Sequence, residues 1–520
     1  MKAGPDAMKS EIGYNAVSEP VGRSFGGAGT QARQEMSGKS VFLLSDLLPG
    51  TDLPPGAGDL AVLGINADSR GLREGEAFFA LPGSRQHGNA FVAAAVKAGA
   101  SAVVTDQPPD HDPGVPVIVV ADVRAAYARA AACEFAPQPA VAVAVTGTNG
   151  KTSVASFVRQ IWTASGLPAA SLGTLGVETA AGLRPGALTT PDSLSLHRDL
   201  AELRQQGIDH VSLEASSHGL DQRRLDGMRF AAVGFTNLTR DHLDYHGTME
   251  AYAEAKLRLF NTLAADEAAA VINTDDPESQ AFVFAALDRG LRLLTVGAEG
   301  AFFETRAVRN EGFGQRVTGR LVGEPAEFYL PLTGAFQASN ALVALGLATS
   351  TGAPVETALR ALERLKGARG RLELVGQRDG SAVFVDYAHT PDALKNALDS
   401  LRPYARRRLT VVFGCGGDRD KGKRPLMGAI AQELADRVIV TDDNPRTEDA
   451  AAIRMDILAA TPHGEEIADR GRAIAAAIAG MGQGDVVLIA GKGHEDYQIV
   501  GATRHHFSDH EAAAEALAGA

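Results

Sequence analysis

Residues 141–152 read VAVAVTGTNGKT, an apolar, β-branched run that ends in a glycine-rich turn, a lysine and a threonine. Such a run reads as a buried strand. A glycine-rich turn between such a strand and a helix directs backbone N–H groups and the positive helix end at an anion. The stretch therefore reads as a phosphate-binding loop. Lys151 is placed to reach terminal phosphates and Thr152 to ligate Mg²⁺, with Gly147, Thr148, Asn149, Gly150 and Ser153 completing the loop. The usual first glycine, five places before the second, is absent: Val145 stands there, and the glycine is Gly147. A tight turn with an incidental lysine has the same pattern, so the surroundings decide.

Outward from the loop the arrangement repeats. HVSLE runs into ASSHG, AAVGFTN into LTRDHLDYHG, and AAAVIN into TDD; further on, AVFVDY runs into AHTPD, LTVVFG into CGGDRDKGKRP, RVIVT into DDNPRTED, and DVVLIA into GKGHED. Each polar cluster comes directly after a strand. Short β-branched runs alternating with Ala/Leu-rich helices predict an α/β fold with mostly parallel sheets, and ligands of such sheets bind outside the carboxyl ends of the strands. Two such edges imply a reaction carried out between domains. The Pro-containing CEFAPQPAVAVAV and the glycine-rich RLKGARGRLELVG mark junctions. The expected organisation is a disordered extension over 1–38, a first domain over 39–121, a central domain over 122–367 and a third over 368–520. The extension lacks an apolar period, and Met8 and Met36 are alternative first residues.

The chain has 520 residues, 45% hydrophobic and 22% charged, with mean hydropathy -0.05, net charge -13 and pI near 5.5. That balance speaks against nucleic acid as a partner. Cys133 and Cys415 cannot build a disulfide framework. No apolar run is long enough for a membrane span, and the start lacks a signal-peptide pattern, so a cytoplasmic protein, expected to be a monomer, is the reading.

TGTNGKT resembles the loop of the Mur ligases and the related folylpolyglutamate synthetases. EASSHGL, TNLTRDHLDYHG, YAEAKLRLF, DYAHTPDAL, FGCGGDRDKGKRPLM, DNPRTED and GKGHEDYQ come after it in the order seen in the Mur ligases that add a third amino acid to UDP-N-acetylmuramoyl-L-alanyl-D-glutamate. The resemblance runs from about Asp68 to Asp509. It implies the three-domain Mur ligase architecture, with a P-loop central domain and a Rossmann-like C-terminal domain. It also implies an ATP-dependent amide ligase of peptidoglycan precursor synthesis: the γ-phosphate activates the D-glutamate carboxylate as an acyl phosphate, and an amine then attacks it. Meso-diaminopimelate is the amine that DNPR implies.

The same resemblance gives the residues their roles. Glu214 would bind Mg²⁺ beside Thr152, although a strand-end Glu can equally cap a helix. His242 would bind a second Mg²⁺, with Asn237 on the same loop. Lys256, otherwise an ordinary helix lysine, would be carbamylated by CO₂ to an N6-carboxylysine that ligates Mg²⁺. UDP would lie against Ala67, Ser69, Ser84, Arg85 and Gln86, a pattern that turn chemistry also produces. The muramoyl peptide would meet Thr189, Thr190, Ser216, Gln222 and Arg224. Asn340, Arg371 and Asp386 would close over ATP, the last two being equally readable as a surface ion pair. Arg419, Asp443, Asn444, Pro445, Arg446, Gly491 and Glu495 would hold diaminopimelate, with Arg446 gripping its far carboxylate. SRQHG stands where a DGR or DGH segment is commoner, and Gln337 replaces a frequent Asn.

Two other classes compete. A P-loop phosphotransferase or switch leaves the third domain's edge unexplained, and an idle nucleotide-binding scaffold should lack some of these groups. Within the superfamily, DNPR speaks against a folylpolyglutamate synthetase and an L-lysine-adding ligase.

Overall fold

The computed structural model describes residues 34–36, 39–83, 86–186 and 188–519. The loop-bearing strand Val141–Thr146 lies inside an 11-stranded sheet. It is flanked in parallel by His210–Glu214 and Phe230–Phe235, with Ala264–Asn273 next to the latter. Alternation decides its two faces. Val143 and Val145 join the core formed with the helices Lys151–Ala164 and Ala335–Thr349, whereas Ala142 and Ala144 join the core on the other face, with Leu196 and Leu200 of Ser193–Gln205. Both faces are dry, which is why the run is apolar throughout.

The third domain repeats this plan. Ser381–Asp386, Val486–Ala490, Leu409–Phe413 and Arg437–Val440 are consecutive parallel neighbours in a six-stranded sheet. All eight strand-to-cluster transitions read from the sequence thus leave carboxyl ends of parallel strands. The first domain carries a four-stranded parallel sheet, Ile65–Asn66, Ala77–Phe79, Ala102–Thr105 and Val117–Val119.

Three features depart from the sequence reading. The central sheet is antiparallel at both edges, through Ala169–Gly173, Gly176–Thr179 and Gly182–Pro185 on one side and the meander Phe303–Glu311, Gly314–Leu321 and Glu324–Leu330 on the other. Within the extension expected to be disordered, Gln34–Met36 is a strand paired with Lys39–Leu43; residues 1–33 and 37–38 lie outside the described residues. Finally, the helix Val123–Glu134 buries Val123, Ala126, Tyr127, Ala130 and Ala131 in the first domain's core, so the expected boundary at 121 cuts through that core. Among the described residues no helix is long and apolar enough to cross a membrane.

Candidate active site

The displaced glycine has a steric cause. At Gly147, with φ +148°, a Cβ would stand 1.9 Å from Thr236 Oγ1 and 3.0 Å from the carbonyl oxygen of Asn237. The loop is pressed onto the end of the neighbouring strand Phe230–Phe235, and only glycine fits at the point of contact. That contact is tied by hydrogen bonds: Thr148 N donates to Asn237 O at 2.8 Å, Asn149 N to Asn237 Oδ1 at 2.9 Å, and Thr236 Oγ1 to Asn149 O at 2.6 Å. At Gly150, φ +87°, a Cβ would lie 2.3 Å from Asn340 Oδ1. Asn340 and Gln337 are both buried and paired at 3.3 Å, so Gln337 supports Asn340 behind the loop.

Glu214 is buried at the end of its strand. Its Oε2 accepts from Thr152 Oγ1 at 2.9 Å and Thr174 Oγ1 at 3.2 Å, and its Oε1 from Thr174 N at 2.7 Å. A side chain at Gly173 would occupy that carboxylate's place, with a Cβ 1.9 Å from Oε1. The helix-cap alternative for Glu214 fails, since the next helix, Ser217–Asp221, is capped by Ser216. Thr174, which the sequence reading passed over, links Glu214 to Thr189 at 3.0 Å. Thr190 Oγ1 donates to the Glu214 carbonyl at 2.8 Å and pairs with Ser216 Oγ at 2.9 Å. Arg224 donates to Thr190 O at 2.6 Å and Gln222 Oε1 at 2.7 Å. Five residues expected around the muramoyl peptide therefore form one network that begins at the phosphate loop.

Lys256 is buried, not solvated. Its Nζ donates to Gly147 O at 2.8 Å and lies 4.4 Å from the Tyr252 ring centre. Burial, then the neighbouring Lys151 ammonium, push its pKa well below the ordinary lysine value, with Asp241 opposing. Burial also lowers Lys151, whose Nζ donates to Gly147 O and Thr148 O at 2.8 and 2.7 Å. Arg371, from the third domain, is among the charges that depress Lys151, which puts that guanidinium within electrostatic reach of the loop. His242, with φ +53° and a half-exposed ring, packs edge-on to His218 at 4.9 Å and lies 6.1 Å from Tyr252, the ring that also carries Lys256. Among the described residues no three His, Cys, Asp or Glu side chains converge as a metal-binding group.

In the third domain Asp386 accepts from Leu372 N at 2.6 Å, and Arg371 lies over Tyr387 at 5.1 Å. Burial raises the Asp386 carboxyl to about 6, against the pull of Arg371. The pair is not a plain surface ion pair, as the Arg371 Nε is buried without a partner. Asp443, Asn444 and Pro445 are buried; Arg446, φ +52°, is partly buried and donates through Nη1 to Gly417 O at 2.8 Å. A Cβ at Gly491 would stand 2.8 Å from Asp443 Oδ2, and Asn444 Nδ2 donates to Glu495 Oε2 at 3.0 Å. Arg419 is exposed, its Cγ 3.9 Å from where a Cβ on Gly416 would lie, with Arg446 Nη1 2.8 Å from the same point. The seven residues thus gather on adjacent loops.

In the first domain, Ala67 and Ser69 come just after the strand Ile65–Asn66, and Gln86 closes the Gly83 turn through Gly83 N to Gln86 O at 3.2 Å. Ser84 and Arg85 lie outside the described residues. Arg70 is turned to Asp68 at 2.7 Å in the open. Sequence reading missed Arg124, which donates to Pro82 O beside that turn and whose charge also lowers the Arg224 pKa, after burial, across the domain junction.

Known proteins match this layout. Residues 61–136 match the Mur ligase family catalytic domain, 145–348 the Mur ligase middle domain and 370–493 the Mur ligase glutamate ligase domain. A UDP-N-acetylmuramoyl-L-alanyl-D-glutamate--2,6-diaminopimelate ligase of Chelativorans sp. is 53% identical over 89% of this chain and 96% of its own length. The protein of that name from Bradyrhizobium diazoefficiens is 53% identical over 91% and 99%. A solved structure of a ligase with the same name superposes with TM-score 0.71 at 34% identity, covering 92% of this chain and 99% of that one. MurF from Acinetobacter baumannii shares the fold, with TM-score 0.57 at 19% identity over 86% and 94%. Identity at the level of the first two, sustained through all three domains, is common descent, and the chain belongs to the Mur ligase family.

Proposed function

We infer that the protein is an ATP-dependent amide ligase that joins meso-2,6-diaminopimelate to the D-glutamate carboxylate of UDP-MurNAc-L-Ala-D-Glu. The observation that carries this reading is the continuous network from Thr152 through Glu214 to Thr190, Ser216, Gln222 and Arg224, which ties the loop to the residues expected to meet the peptide. Relatives 53% identical over nearly the whole chain carry this activity in their names, which favours it over a lysine-adding ligase or a folylpolyglutamate synthetase. A phosphate-release assay with the nucleotide dipeptide, ATP and a panel of amino acids tests it. Release that needs no amino acid, or that favours L-lysine or glutamate, overturns it.

The chain's residues divide the work between the two loaded edges. Backbone N–H groups of the loop and the ammonium of Lys151 hold the terminal phosphates while a carboxylate oxygen of the D-glutamate attacks the γ-phosphorus and the bond to ADP breaks. Arg371 and Asn340 bracket the nucleotide, and Asp386 sits on its third-domain side. Diaminopimelate, held by Asp443, Asn444, Glu495 and Arg446, then presents a neutral amine to the acyl carbon; the amide bond forms, inorganic phosphate leaves and the amine's proton passes to solvent. The buried hydroxyl and carboxylate of Thr152 and Glu214 are the hard oxygen donors that Mg²⁺ prefers. An ammonium at Lys256 does not suit a cation beside His242, whereas a carbamate there would: the ammonium gives up one proton, the neutral amine attacks CO₂ and gives up a second, and a positive charge is replaced by a negative one. Mg²⁺ bound at these groups supplies charge neutralisation between the phosphates and the approaching carboxylate. The reaction belongs to the cytoplasm, where ATP and the nucleotide peptide are available.

A further inference from the structure

Beneath the amino-acid face of the third domain lies a cation that the reaction above leaves without a role. Lys492 comes two residues after the strand Val486–Ala490 and is wholly buried. Its Nζ donates to Asn444 Oδ1 at 3.0 Å and to the Tyr497 carbonyl at 2.6 Å, with Glu495 Oε2 4.0 Å away. Burial lowers its pKa, opposed by Asp443, Glu495 and Asp509 and reinforced by Arg470.

The consequence falls on Asn444. A primary amide has two orientations that exchange donor and acceptor. Here Oδ1 accepts from two donors, Lys492 Nζ and Ile499 N, each at 3.0 Å, and the other end donates to Glu495 Oε2 at 3.0 Å. The reversed amide would set an NH₂ against two donors and an oxygen against a carboxylate. We propose that Lys492 is a positioning residue for the amino-acid substrate: it locks the Asn444 amide, and through it the Glu495 carboxylate, so that the DDNPR turn and the GKGHE loop present one fixed set of donors and acceptors. The proposal rests on placing the amino acid at these two loops. A lysine that merely filled the core would stabilise the domain without favouring one substrate over another.

The test compares KM for all three substrates in the full-length enzyme with Lys492→Met, which keeps the volume and removes the donor. Loss of a charged hydrogen bond in a buried site predicts a rise of about tenfold or more in KM for meso-diaminopimelate. KM for ATP and for the nucleotide dipeptide should stay within about twofold of the unmutated values, on the same scale of effect. Lys492→Gln, shorter and uncharged, should show the same selective rise more weakly, and carries the comparison if the methionine variant does not fold. An unchanged KM for the amino acid, or equal rises in all three, overturns the inference. An unmutated enzyme that releases no phosphate with meso-diaminopimelate removes instead the functional reading on which it rests.

Discussion

Lys151 and Lys256 donate to one acceptor, the carbonyl oxygen of Gly147, each at 2.8 Å. Two ammonium groups on a single oxygen repel, and burial of Lys256 together with that repulsion favours its neutral amine. A neutral amine is the form that adds to CO₂, and a carbamate at Lys256 would turn repulsion into attraction. Lys256→Ala is therefore expected to lose at least about a hundredfold in turnover, the scale for removing a preorganised charged group. Millimolar short-chain carboxylic acids should return part of that loss, since they can occupy the missing carbamate's place. A rate near that of the unmutated enzyme, or an inactive variant indifferent to added acids, would leave the lysine a mere packing element.

Gly147 carries a second expectation. A Cβ there would overlap Thr236 Oγ1 at 1.9 Å, and the neighbouring Asn237 carbonyl offers no escape. Gly147→Ala should cost about 3 kcal/mol or more in stability, or displace the loop and abolish ATP binding. Gly166, also left-handed at φ +77° but with open space about its Cβ, provides the control. Gly166→Ala should cost only about 1 kcal/mol and leave ATP binding intact. Urea unfolding and nucleotide calorimetry on the pair decide it; similar losses in both variants would mean that backbone conformation, not contact with Thr236, sets the glycine's place.

Asp386 makes a pH-dependent contribution whose sign comes from its direction of shift. Its folded carboxyl is raised to about 6 by burial, above the unfolded value of about 3.9. The folded state thus holds a proton that the unfolded state releases, so this group's contribution is fully present below about pH 4 and is lost as pH rises through about 6. Asp386→Asn cannot ionise. Relative to the unmutated chain it should gain about 1–2 kcal/mol between pH 4.5 and 7.5, a figure reduced for the residue's partial exposure. Denaturant titrations at the two pH values measure this, and a stability difference that does not change with pH would show that the carboxyl titrates normally.

Much of the fold is legible in the sequence because parallel sheets write themselves locally. Val141–Thr146 and Val486–Ala490 are dry on both faces, so each appears as an apolar run, and the polar residues directly after it must form a carboxyl-end loop. The meander Phe303–Glu311, Gly314–Leu321 and Glu324–Leu330 is not legible: its strands are half exposed and rich in Arg and Glu, and nothing local says that they extend the loop-bearing sheet. Helix Val123–Glu134 lies beside the junction, and its allegiance depends on which apolar face it meets. Within the site, Thr174 and Lys492 act by gripping Glu214 and Asn444, relations between strand ends that are far apart in sequence. Gly173, forced by the Glu214 carboxylate, is the one local sign of the first.

Arg446 is the residue proposed to choose the amino acid, and its surroundings temper the expectation. Meso-diaminopimelate differs from L-lysine by a carboxylate on the far carbon, and a guanidinium can hold a carboxylate by two parallel bonds. Arg446 is held in place: its backbone is fixed at φ +52°, its N–H donates to Ile499 O at 3.0 Å, and Nη1 is anchored on Gly417 O at 2.8 Å. Anchoring through Nη1 would leave Nη2 and Nε for a substrate carboxylate. It also means that a bound lysine would not leave the guanidinium wholly unpaired, and since Arg446 is only partly buried the penalty is smaller than for a dry, isolated charge. The unmutated enzyme should therefore prefer meso-diaminopimelate over L-lysine by about tenfold to a hundredfold or more in kcat/KM. Arg446→Ala should lose most of that ratio by losing diaminopimelate, with the rate on lysine little changed. Arg446→Lys should keep only part of it, because a point charge cannot form the paired bonds. Comparable kcat/KM for the two amino acids in the unmutated enzyme would place the selecting cation elsewhere, and Arg419, exposed beside the same Gly416 loop, would be the next to replace.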